Sequence, residues 1–364
     1  MSAAILKIIP ARKEKKKLIR RAAVDGSQRV RHSVQFVFVL LNAWLGIQFY
    51  LWVRFYERGG VGLQVPRPAG VEGWLPIAGL MNFKAFLFTG HVPAIHPAAM
   101  FLFMAFLAMS LLAKKSFCSW LCPVGTFSEA LARAGKMIFR RNFRLPRWLD
   151  IPLRGLKYLL LSFFVFIIGA MSAAAIQEFM ATPYGLIADV KMLNFFRDMS
   201  QTATIVLVAL VLLSVLIESF WCRYLCPYGA LMGLVSLLSP LKIRRNSAAC
   251  IECAKCAHVC PAGLPVDRLV KIRSVECTAC MACVSTCPSE GGLRFSLPPG
   301  RVTAAGQPLF RRAVTPLAMV GILAVIFFGA ILVARATGHW QTNVPQSVYQ
   351  QLVPNANQAS HPGY

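Results

Sequence analysis

Acidic residues and histidines are scarce in this sequence. Its 364 residues include 14 Asp and Glu against 39 Lys and Arg, together with six histidines. No two histidines form an inward-facing pair on separate apolar runs, which argues against a b-type haem held between helices. The sequence also contains no P-loop, no dinucleotide-binding glycine motif and no Ser/His/Asp constellation. We therefore expect a chain that by itself makes and breaks no covalent bonds in a substrate.

The formal charge of +25 does not indicate nucleic-acid binding, because the basic residues form blocks between apolar runs. Hydrophobic residues make up 57% of the chain and its mean hydropathy is +0.57. This is more apolar residue than a soluble domain of this length needs, and basic blocks between apolar runs are typical of a protein in a lipid bilayer. No separate basic domain is visible, so we expect no nucleic-acid partner.

Five apolar runs are long enough for the roughly 20 residues that a helix needs to cross a membrane. They cover residues 33–53, 92–113, 158–177, 200–217 and 314–334. The segments before the first run, between the second and third, and between the fourth and fifth hold 10, 10 and 12 Lys and Arg, whereas the other three hold 4, 2 and 1. This asymmetry predicts a bacterial inner-membrane protein with a cytoplasmic N-terminus and a periplasmic C-terminus.

Eight of the 12 cysteines form two copies of the pattern Cys-x2-Cys-x2-Cys-x3-Cys-Pro. This spacing is the signature of bacterial ferredoxins with two [4Fe–4S] clusters, in which the fourth cysteine of each run serves the other cluster. The predicted ligand sets are Cys250, Cys253, Cys256 and Cys287 for one cluster, and Cys277, Cys280, Cys283 and Cys260 for the other. Zinc sites also use Cys-x2-Cys, but as two separated pairs around one ion, which fits these two runs of four poorly.

A Cys-x3-Cys-Pro element also occurs twice, with Cys118 and Cys122 in the first copy and Cys222 and Cys226 in the second. Each follows an apolar run that ends on the cytoplasmic side, so two spans and a cysteine pair form an internal repeat. The spacing places both thiols on one side of a helix, and the following proline predicts that Cys122 and Cys226 are helix N-caps. Three interpretations stay open: a further iron–sulfur cluster or soft-metal site, redox-active disulfides, or cysteines that only pack.

These features predict a mainly α-helical, polytopic membrane protein with about five spans and an inserted cytoplasmic α+β ferredoxin-like domain. The expected divisions are a basic segment 1–32, a membrane core 33–245 with four spans, a two-cluster domain 246–297, a linker with the fifth span 298–334, and a periplasmic tail 335–364. Three aromatic residues beside the thiols are expected in the interfacial belt: Trp120, Trp221 and Tyr224.

The two Cys-x3-Cys-Pro elements ahead of the double ferredoxin motif resemble the NapH/MauN-type membrane polyferredoxins, including the YccM-like electron transport proteins. The membrane core is also similar to that of the NosR regulators, and the resemblance extends from the first span through Pro288. It implies transfer of single electrons between the quinone pool or a cytoplasmic donor and a redox partner protein, with a multi-subunit complex as one setting. A redox-dependent maturation or regulatory factor for a respiratory metalloenzyme is the alternative, motivated by NosR. The chain lacks the large periplasmic flavin domain of NosR, so named partners are not carried over.

A quinone site could lie on either side of the membrane. Four residues near the outer face are candidates for handling quinol protons: His91, His96, Glu178 and Asp189. The two histidines are more simply interpreted as interfacial residues at the start of the second span, and Glu218 as an acid at headgroup level. A site on the cytoplasmic side is easier physically, because electrons do not tunnel through a hydrocarbon core about 30 Å thick.

Overall fold

Helices dominate the structure, a computed structural model that describes residues 22, 25–140, 143, 145–298 and 313–361. The basic run of the N-terminal segment and most of the linker before the last apolar run lie outside these residues. The helices are α1 Ser27–Glu57, α2 Pro76–Thr89, α3 Pro97–Ala113, α4 Ser116–Trp120, α5 Pro123–Phe139, α6 Arg147–Ala170, α7 Ala173–Ala181, α8 Pro183–Leu186, α9 Ala188–Arg197, α10 Gln201–Leu216, α11 Pro227–Val235, α12 Lys255–His258, α13 Ala282–Ser285, α14 Pro316–Ala336 and α15 Gln346–Leu352. Trp221–Leu225 forms a π-helical turn, and Ala69–Trp74 and Ala356–Gln358 are 3-10 turns.

Within the described residues, three helices are long and apolar enough to cross a membrane: α1, residues Trp148–Ala170 of α6, and α14. Helices α9 and α10 pass the same test only as a pair, and they meet at 80°. Helix α3 is apolar but has 17 residues. The five expected spans thus correspond to three full-length helices, one bent pair and one shorter helix.

The third expected span is displaced along the chain. Helix α6 ends at Ala170, and Gln177 lies in α7 instead. Ser172 causes the break, because its hydroxyl accepts a hydrogen bond from the Ala175 N–H at 3.1 Å and so caps a new helix.

Helix α3 lies at the centre of the bundle, where it packs against α2, α14 and α11. Most of its residues are buried, in keeping with a sequence that is apolar around the whole helix. Phe106 stacks on Phe117 with ring centroids 3.9 Å apart, and it also contacts Phe327 of α14. This aromatic layer joins the centre of the bundle to the short helix α4.

The internal repeat has a common backbone design. A residue with positive φ lies between the long helix and the next helical turn in each copy, Lys114 at 63° and Ser219 at 57°. A short helical turn carrying the first cysteine follows, and the second cysteine is the N-cap of the next helix, α5 or α11. The prediction that Cys122 and Cys226 are N-caps is confirmed. The two thiols of a pair therefore belong to successive helices and not to a single helical turn.

The ferredoxin-like part is a small α+β unit. Strands β1 Lys242–Arg245 and β2 Leu293–Ser296 pair antiparallel, with Lys242 opposite Ser296 and Arg245 opposite Leu293. The first strand precedes residue 246, at which the sequence placed the start of this domain. Helices α12 and α13 lie between the strands and carry the third cysteine of each run, Cys256 and Cys283. We call the end of the bundle that carries this unit and α4 the ferredoxin end.

The opposite end of the bundle is closed by the loop around Ala69–Trp74 and by the residues after α14. Tyr349 of α15 lies edge-on to Trp52 of α1 with ring centroids 5.0 Å apart. Trp52 and Tyr56 are buried beneath this contact. Helix α15 of the C-terminal tail is thus packed against the first helix.

Candidate metal centres

The two ferredoxin cysteine runs adopt the same local backbone. Positive φ angles occur at the second and fourth residues after the first cysteine, at Glu252 and Ala254 in one run and at Ala279 and Met281 in the other. Left-handed conformations cost a non-glycine residue about 1–2 kcal/mol each, so their repetition marks a shared constraint. The constraint is the loop that carries the first two cysteines of each run and leads into the short helix with the third.

The first predicted ligand set is assembled in the structure. Cys250, Cys253, Cys256 and Cys287 line one small cavity. A Cβ at Gly292 would lie 2.9 Å from the Cys287 sulfur, so glycine leaves the room that this sulfur occupies. Cys253 is exposed, which places this set at the protein surface. We call it the outer set.

The second predicted ligand set is buried between the first one and the membrane bundle. Burial raises the pKa of Cys280 to about 11, and Cys260 and Cys277 lie close enough to contribute to that rise. Cys283 faces Cys260, Cys277 and Cys280, and it also faces Cys256 of the outer set. We call this the inner set: Cys260, Cys277, Cys280 and Cys283.

The intervals between the eight ferredoxin cysteines along the chain are those of ligands to iron–sulfur cubanes. Among the residues that the structure describes, no three His, Cys, Asp or Glu side chains converge tightly enough to hold one metal ion. In a cubane each thiolate binds its own iron, so the four sulfurs stand farther apart. None of the twelve cysteines, all of which the structure describes, forms a disulfide.

The four remaining cysteines also come together, across the repeat. Cys122 faces Cys118, Cys222 and Cys226, and Cys222 faces Cys118 and Cys226. Burial, reinforced by the neighbouring thiols, raises the pKa of Cys222 to about 12. The Cys226 sulfur accepts a hydrogen bond from the Gly229 N–H at 3.2 Å. We call this group the bundle set.

Three buried lysines surround the bundle set and the inner set. Lys115 lies beside Cys118, Cys222 and Cys226. Lys157 is ion-paired with Glu276 at 2.6 Å, and Lys114 donates to the carbonyl oxygen of Ser274 at 3.1 Å. The sequence showed these lysines only as part of a basic block, and burial distinguishes them from the exposed basic residues around them.

The ferredoxin-like unit contacts the short helix that carries Cys118. The Ser119 hydroxyl donates to the carbonyl oxygen of Thr278 at 2.6 Å, and Trp120 Nε1 donates to the carbonyl oxygen of Ala279 at 3.2 Å. Gln28 of α1 donates to the carbonyl oxygen of Cys280 at 2.9 Å. Side chains that lie between Cys118 and Cys122 of the bundle set thus hold the backbone between Cys277 and Cys280 of the inner set. Trp120 is fully buried, so its expected place in the interfacial belt is wrong, and Tyr224 is buried as well.

A cavity of about 1460 Å³ connects the two ends of the bundle. Its ferredoxin end is lined by Cys118, Cys122, Cys280 and Tyr228, and its opposite end by Arg67 and other residues. Apolar residues of α1, α3 and α14 form much of the wall between these ends. Glu218 is another residue that lines this cavity.

The opposite end contains a buried ion network that the sequence analysis only partly identified. Arg67 donates to Asp189 Oδ2 at 2.7 Å and to Glu72 Oε1 at 2.9 Å, and His96 Nε2 donates to the carbonyl oxygen of Gly185 at 2.9 Å. Burial acts to raise the pKa of Glu72. The charge of Arg67 and the hydrogen bonds that the Glu72 carboxylate accepts outweigh burial, and they lower this pKa to about 2. His96 is fully buried, so its interpretation as an interfacial residue is wrong.

His91 and Glu178, the other two candidates for proton handling, are exposed and lie apart from this network. Arg67 and Glu72 were missed because a single Arg and a single Glu in a loop carry no motif. The sequence offered one signal for this site: Glu72 is an acidic residue in a stretch that is otherwise poor in acidic residues.

Comparison with known protein families follows the same division of the chain. A family model described as a 4Fe-4S binding domain matches residues 95–146 and 200–246, the two segments that contain the Cys-x3-Cys-Pro elements. A second, described as a 4Fe-4S dicluster domain, matches residues 242–288 and includes all eight ferredoxin cysteines. No solved structure gives a significant match to the chain.

The chain is also similar to curated proteins of electron transport. It is 51% identical over 331 residues, 91% of each chain, to the "Putative electron transport protein YccM" of Escherichia coli (strain K12). It is 30% identical over 185 residues, 50% of this chain and 59% of the relative, to the ferredoxin-type protein NapH of the same organism. The regulatory protein NosR of Pseudomonas aeruginosa is 27% identical over 193 residues, 52% of this chain and 26% of NosR.

Proposed function

The chain belongs to the NapH/MauN-type membrane polyferredoxin family, which includes YccM, and on that premise we propose that it carries single electrons through two [4Fe–4S] clusters between a quinol in the membrane and a redox partner protein. The outer set would hold one cluster and the inner set the other. When bound, each cluster supplies a one-electron redox centre. The protein contributes the cysteines, the buried surroundings and the order in which the centres follow one another.

The observation that carries this proposal is the position of the inner set between the cavity and the outer set. Cys280 lines the cavity, and Cys283 of the same set faces Cys256 of the outer set. Cys253 of the outer set is exposed. An electron entering at the cavity therefore reaches the surface through two adjacent cysteine sets, and a partner protein would exchange it at the outer set.

The cavity suits a quinol for two reasons. Its volume of about 1460 Å³ exceeds the 300–1,000 Å³ of ordinary ligand pockets, so it has room for a headgroup and part of an isoprenoid tail. Its wall is largely apolar, and polar groups are concentrated near the ends. One quinol releases two electrons and two protons, so it would reduce two cubanes by one electron each.

The expected orientation places the quinol headgroup near the ferredoxin end. The ferredoxin-like unit would then face the cytoplasm and α15 the periplasm, as the distribution of Lys and Arg predicts. Electron transfer across the whole hydrocarbon core is not needed in this arrangement.

Reduction of the purified protein by decylubiquinol tests the proposal. We expect anaerobic addition of this quinol to reduce the clusters, as followed by loss of visible absorbance and by EPR. Val124→Trp, at the cavity wall beside Cys122-Pro123, should slow reduction by quinol by tenfold or more while leaving reduction by dithionite unchanged. Phe127→Trp is the matched control, because Phe127 lies on the same helix, is exposed and does not line the cavity. Equal quinol rates in the two variants would remove the cavity from the proposal.

A maturation or regulatory role is the second candidate, and the similarity to the regulatory protein NosR is the observation that favours it. Deletion of the gene separates the two functions. Loss of a respiratory activity with a terminal enzyme of normal metal content supports electron transfer. Loss of metal insertion or of transcription supports the second role.

A further inference from the structure

Helix α5 has three faces that differ in chemistry, and the first of them packs against the bundle. Ser128, Ala132 and Gly135 are buried on this face. A Cβ at Gly135 would collide with the carbonyl oxygen of Val215, so the backbones of α5 and α10 are in close contact there. This contact fixes the rotation of α5 and leaves its other two faces away from α10.

The second face of α5 is apolar and exposed. Phe127, Met137 and Ile138 are 59%, 77% and 68% exposed. Phe143 and Trp148, which follow α5 in the chain, are exposed as well. In a protein whose long helices cross a membrane, large apolar side chains in this position contact lipid, as on helices that lie in the membrane interface. We therefore place α5 at the boundary between the acyl chains and the headgroups.

The third face of α5 is basic and lines the cavity. Arg133 and Lys136 are one turn apart on this face, and Arg140 follows one turn later, directly after the helix ends. We call these three residues the basic stripe. All three are exposed, and none of them forms an ion pair within 4 Å in the part of the chain that the structure describes. Glu129 lies one turn before the stripe, but Arg31 binds both of its carboxylate oxygens, at 2.6 and 2.7 Å.

The cavity beside the basic stripe carries a positive charge overall. Eight Lys and Arg line it, against three acidic residues, Glu129, Glu218 and Glu276. Two of these carboxylates are already bound by other cations, since Arg31 holds Glu129 and Lys157 holds Glu276. The charge of the stripe is thus not neutralised by the acidic residues around the cavity, and it suits an anionic group.

The position of the stripe favours a lipid as the source of that anionic group. Inorganic phosphate and a phospholipid headgroup both offer phosphate oxygens, to which Arg and Lys bind. The exposed apolar face on the same helix is the feature that a free anion does not use. Basic pockets between membrane helices bind the headgroups of anionic lipids in the same way.

We propose that Arg133, Lys136 and Arg140 bind the headgroup of an anionic phospholipid, whose acyl chains lie against the exposed apolar face of α5. The headgroup sits at the edge of the cavity, and the interior of the cavity stays available to a quinol. The lipid site does not depend on which molecule donates electrons to the protein.

Native mass spectrometry of the full-length protein in a nonionic detergent tests the site. The probes are dioleoylphosphatidylglycerol and dioleoylphosphatidylcholine, which have the same acyl chains and differ in headgroup charge. We expect wild-type protein to bind the anionic lipid at a concentration about tenfold lower or less. The variant Arg133→Gln/Lys136→Gln/Arg140→Gln should lose about tenfold or more of its affinity for this lipid and bind the zwitterionic lipid as wild type does.

A matched variant controls for the loss of three positive charges. Arg268→Gln/Lys271→Gln/Arg273→Gln removes three exposed cations from the ferredoxin-like unit, and none of the three lines the cavity. It should bind the anionic lipid with wild-type affinity. Should the variant of the stripe fail to fold, two other measurements decide. Substitution of the two arginines of the stripe by lysine should preserve binding, and higher ionic strength should weaken binding to wild-type protein, because exposed charges are screened by salt.

The outcomes that would overturn the proposal are distinct. Equal affinity for the two lipids, or equal losses in the two triple variants, removes the basic stripe as a headgroup site. Displacement of the anionic lipid by inorganic phosphate assigns the stripe to a free anion, and a dimer without bound lipid assigns this surface to a second copy of the chain. Reduction by decylubiquinol is measured on the same wild-type preparation. Its failure refutes the proposed function and leaves the result for the lipid site intact.

Discussion

Trp120 Nε1 donates a hydrogen bond to the carbonyl oxygen of Ala279, 3.2 Å away, across the junction between the membrane bundle and the ferredoxin-like unit. Trp120 lies between Cys118 and Cys122, and Ala279 lies between Cys277 and Cys280. The bond therefore joins the backbones that carry two cysteine sets. It thereby couples the position of one set to that of the other.

We expect Trp120→Phe to loosen this junction. The substitution keeps an aromatic ring but leaves the Ala279 carbonyl without its buried donor, a loss on the order of 1–3 kcal/mol. Hydrogen exchange of the 277–281 backbone should become faster, and quinol reduction of the inner set should slow. Trp148→Phe is the control, because Trp148 is 75% exposed on α6. Identical exchange in the two variants would show that the indole N–H does not hold the junction.

The crossed ligand sets predict which cluster each fourth cysteine serves. Cys287→Ser should remove the cluster of the outer set, although Cys287 belongs to the second run, and Cys260→Ser should remove the cluster of the inner set. EPR of the two variants identifies the remaining signal. A membrane-impermeant iron chelator should strip the remaining cluster faster in Cys260→Ser, since that variant keeps the outer set, where Cys253 is exposed. The reverse order of chelation would indicate uncrossed ligand sets.

Gly292 provides the room for the Cys287 sulfur. A Cβ at position 292 would lie 2.9 Å from that sulfur and 3.3 Å from Ser289. Gly292→Ala should therefore displace Cys287 and reduce occupancy of the outer cluster, with a loss of up to about four irons per chain. Gly321→Ala is the matched control, because a Cβ there meets nothing within 4 Å and alanine favours a helix. Iron analysis and EPR of both variants check the prediction, and equal iron content would contradict it.

The sequence predicted the features that depend on the local spacing of residues. The features that depend on long-range packing are visible only in the structure. The cysteine patterns predicted two ferredoxin ligand sets, whose members the structure brings together, and they correctly predicted the N-caps at Cys122 and Cys226, because a following proline acts on nearby residues alone. The end of α6 at Ala170 was missed, since the hydropathy of residues 158–177 is continuous and a serine cap decides the break. The burial of Trp120 could not be predicted either, because its environment is formed by residues about 160 positions away.

The ion network at the opposite end depends equally on distant contacts, since Arg67 meets Asp189 and Thr342 only in the folded chain. Periodicity places none of these residues on a common face. The burial of these charged residues becomes visible only in the folded structure, where the loops that carry them meet. The sequence analysis named His96 and Asp189 as polar groups near one face of the membrane, but it could not pair them.

This network predicts a pH-dependent contribution from Glu72 to stability. Its pKa is lowered from 4.5 to about 2, so its stabilising effect is fully present above pH 4.5 and is lost as the pH falls toward 2. The shift corresponds to on the order of 3 kcal/mol. Glu72→Gln should accordingly lower the melting temperature by an amount that is constant between pH 7 and pH 5 and shrinks below pH 4.5. Thermal unfolding followed by tryptophan fluorescence measures the difference, and acid loss of the clusters affects wild type and variant alike.

Glu178→Gln is the control for this prediction, because Glu178 is exposed on α7 and neutralises no buried cation. It should leave the melting temperature unchanged across the same pH range. If Glu72→Gln also leaves the melting temperature unchanged at pH 7, Arg67 is sufficiently neutralised by Asp189 alone. If instead the effect of Glu72→Gln grows as the pH falls below 4.5, the carboxyl acts in its protonated form, and the ion pair with Arg67 does not account for its burial.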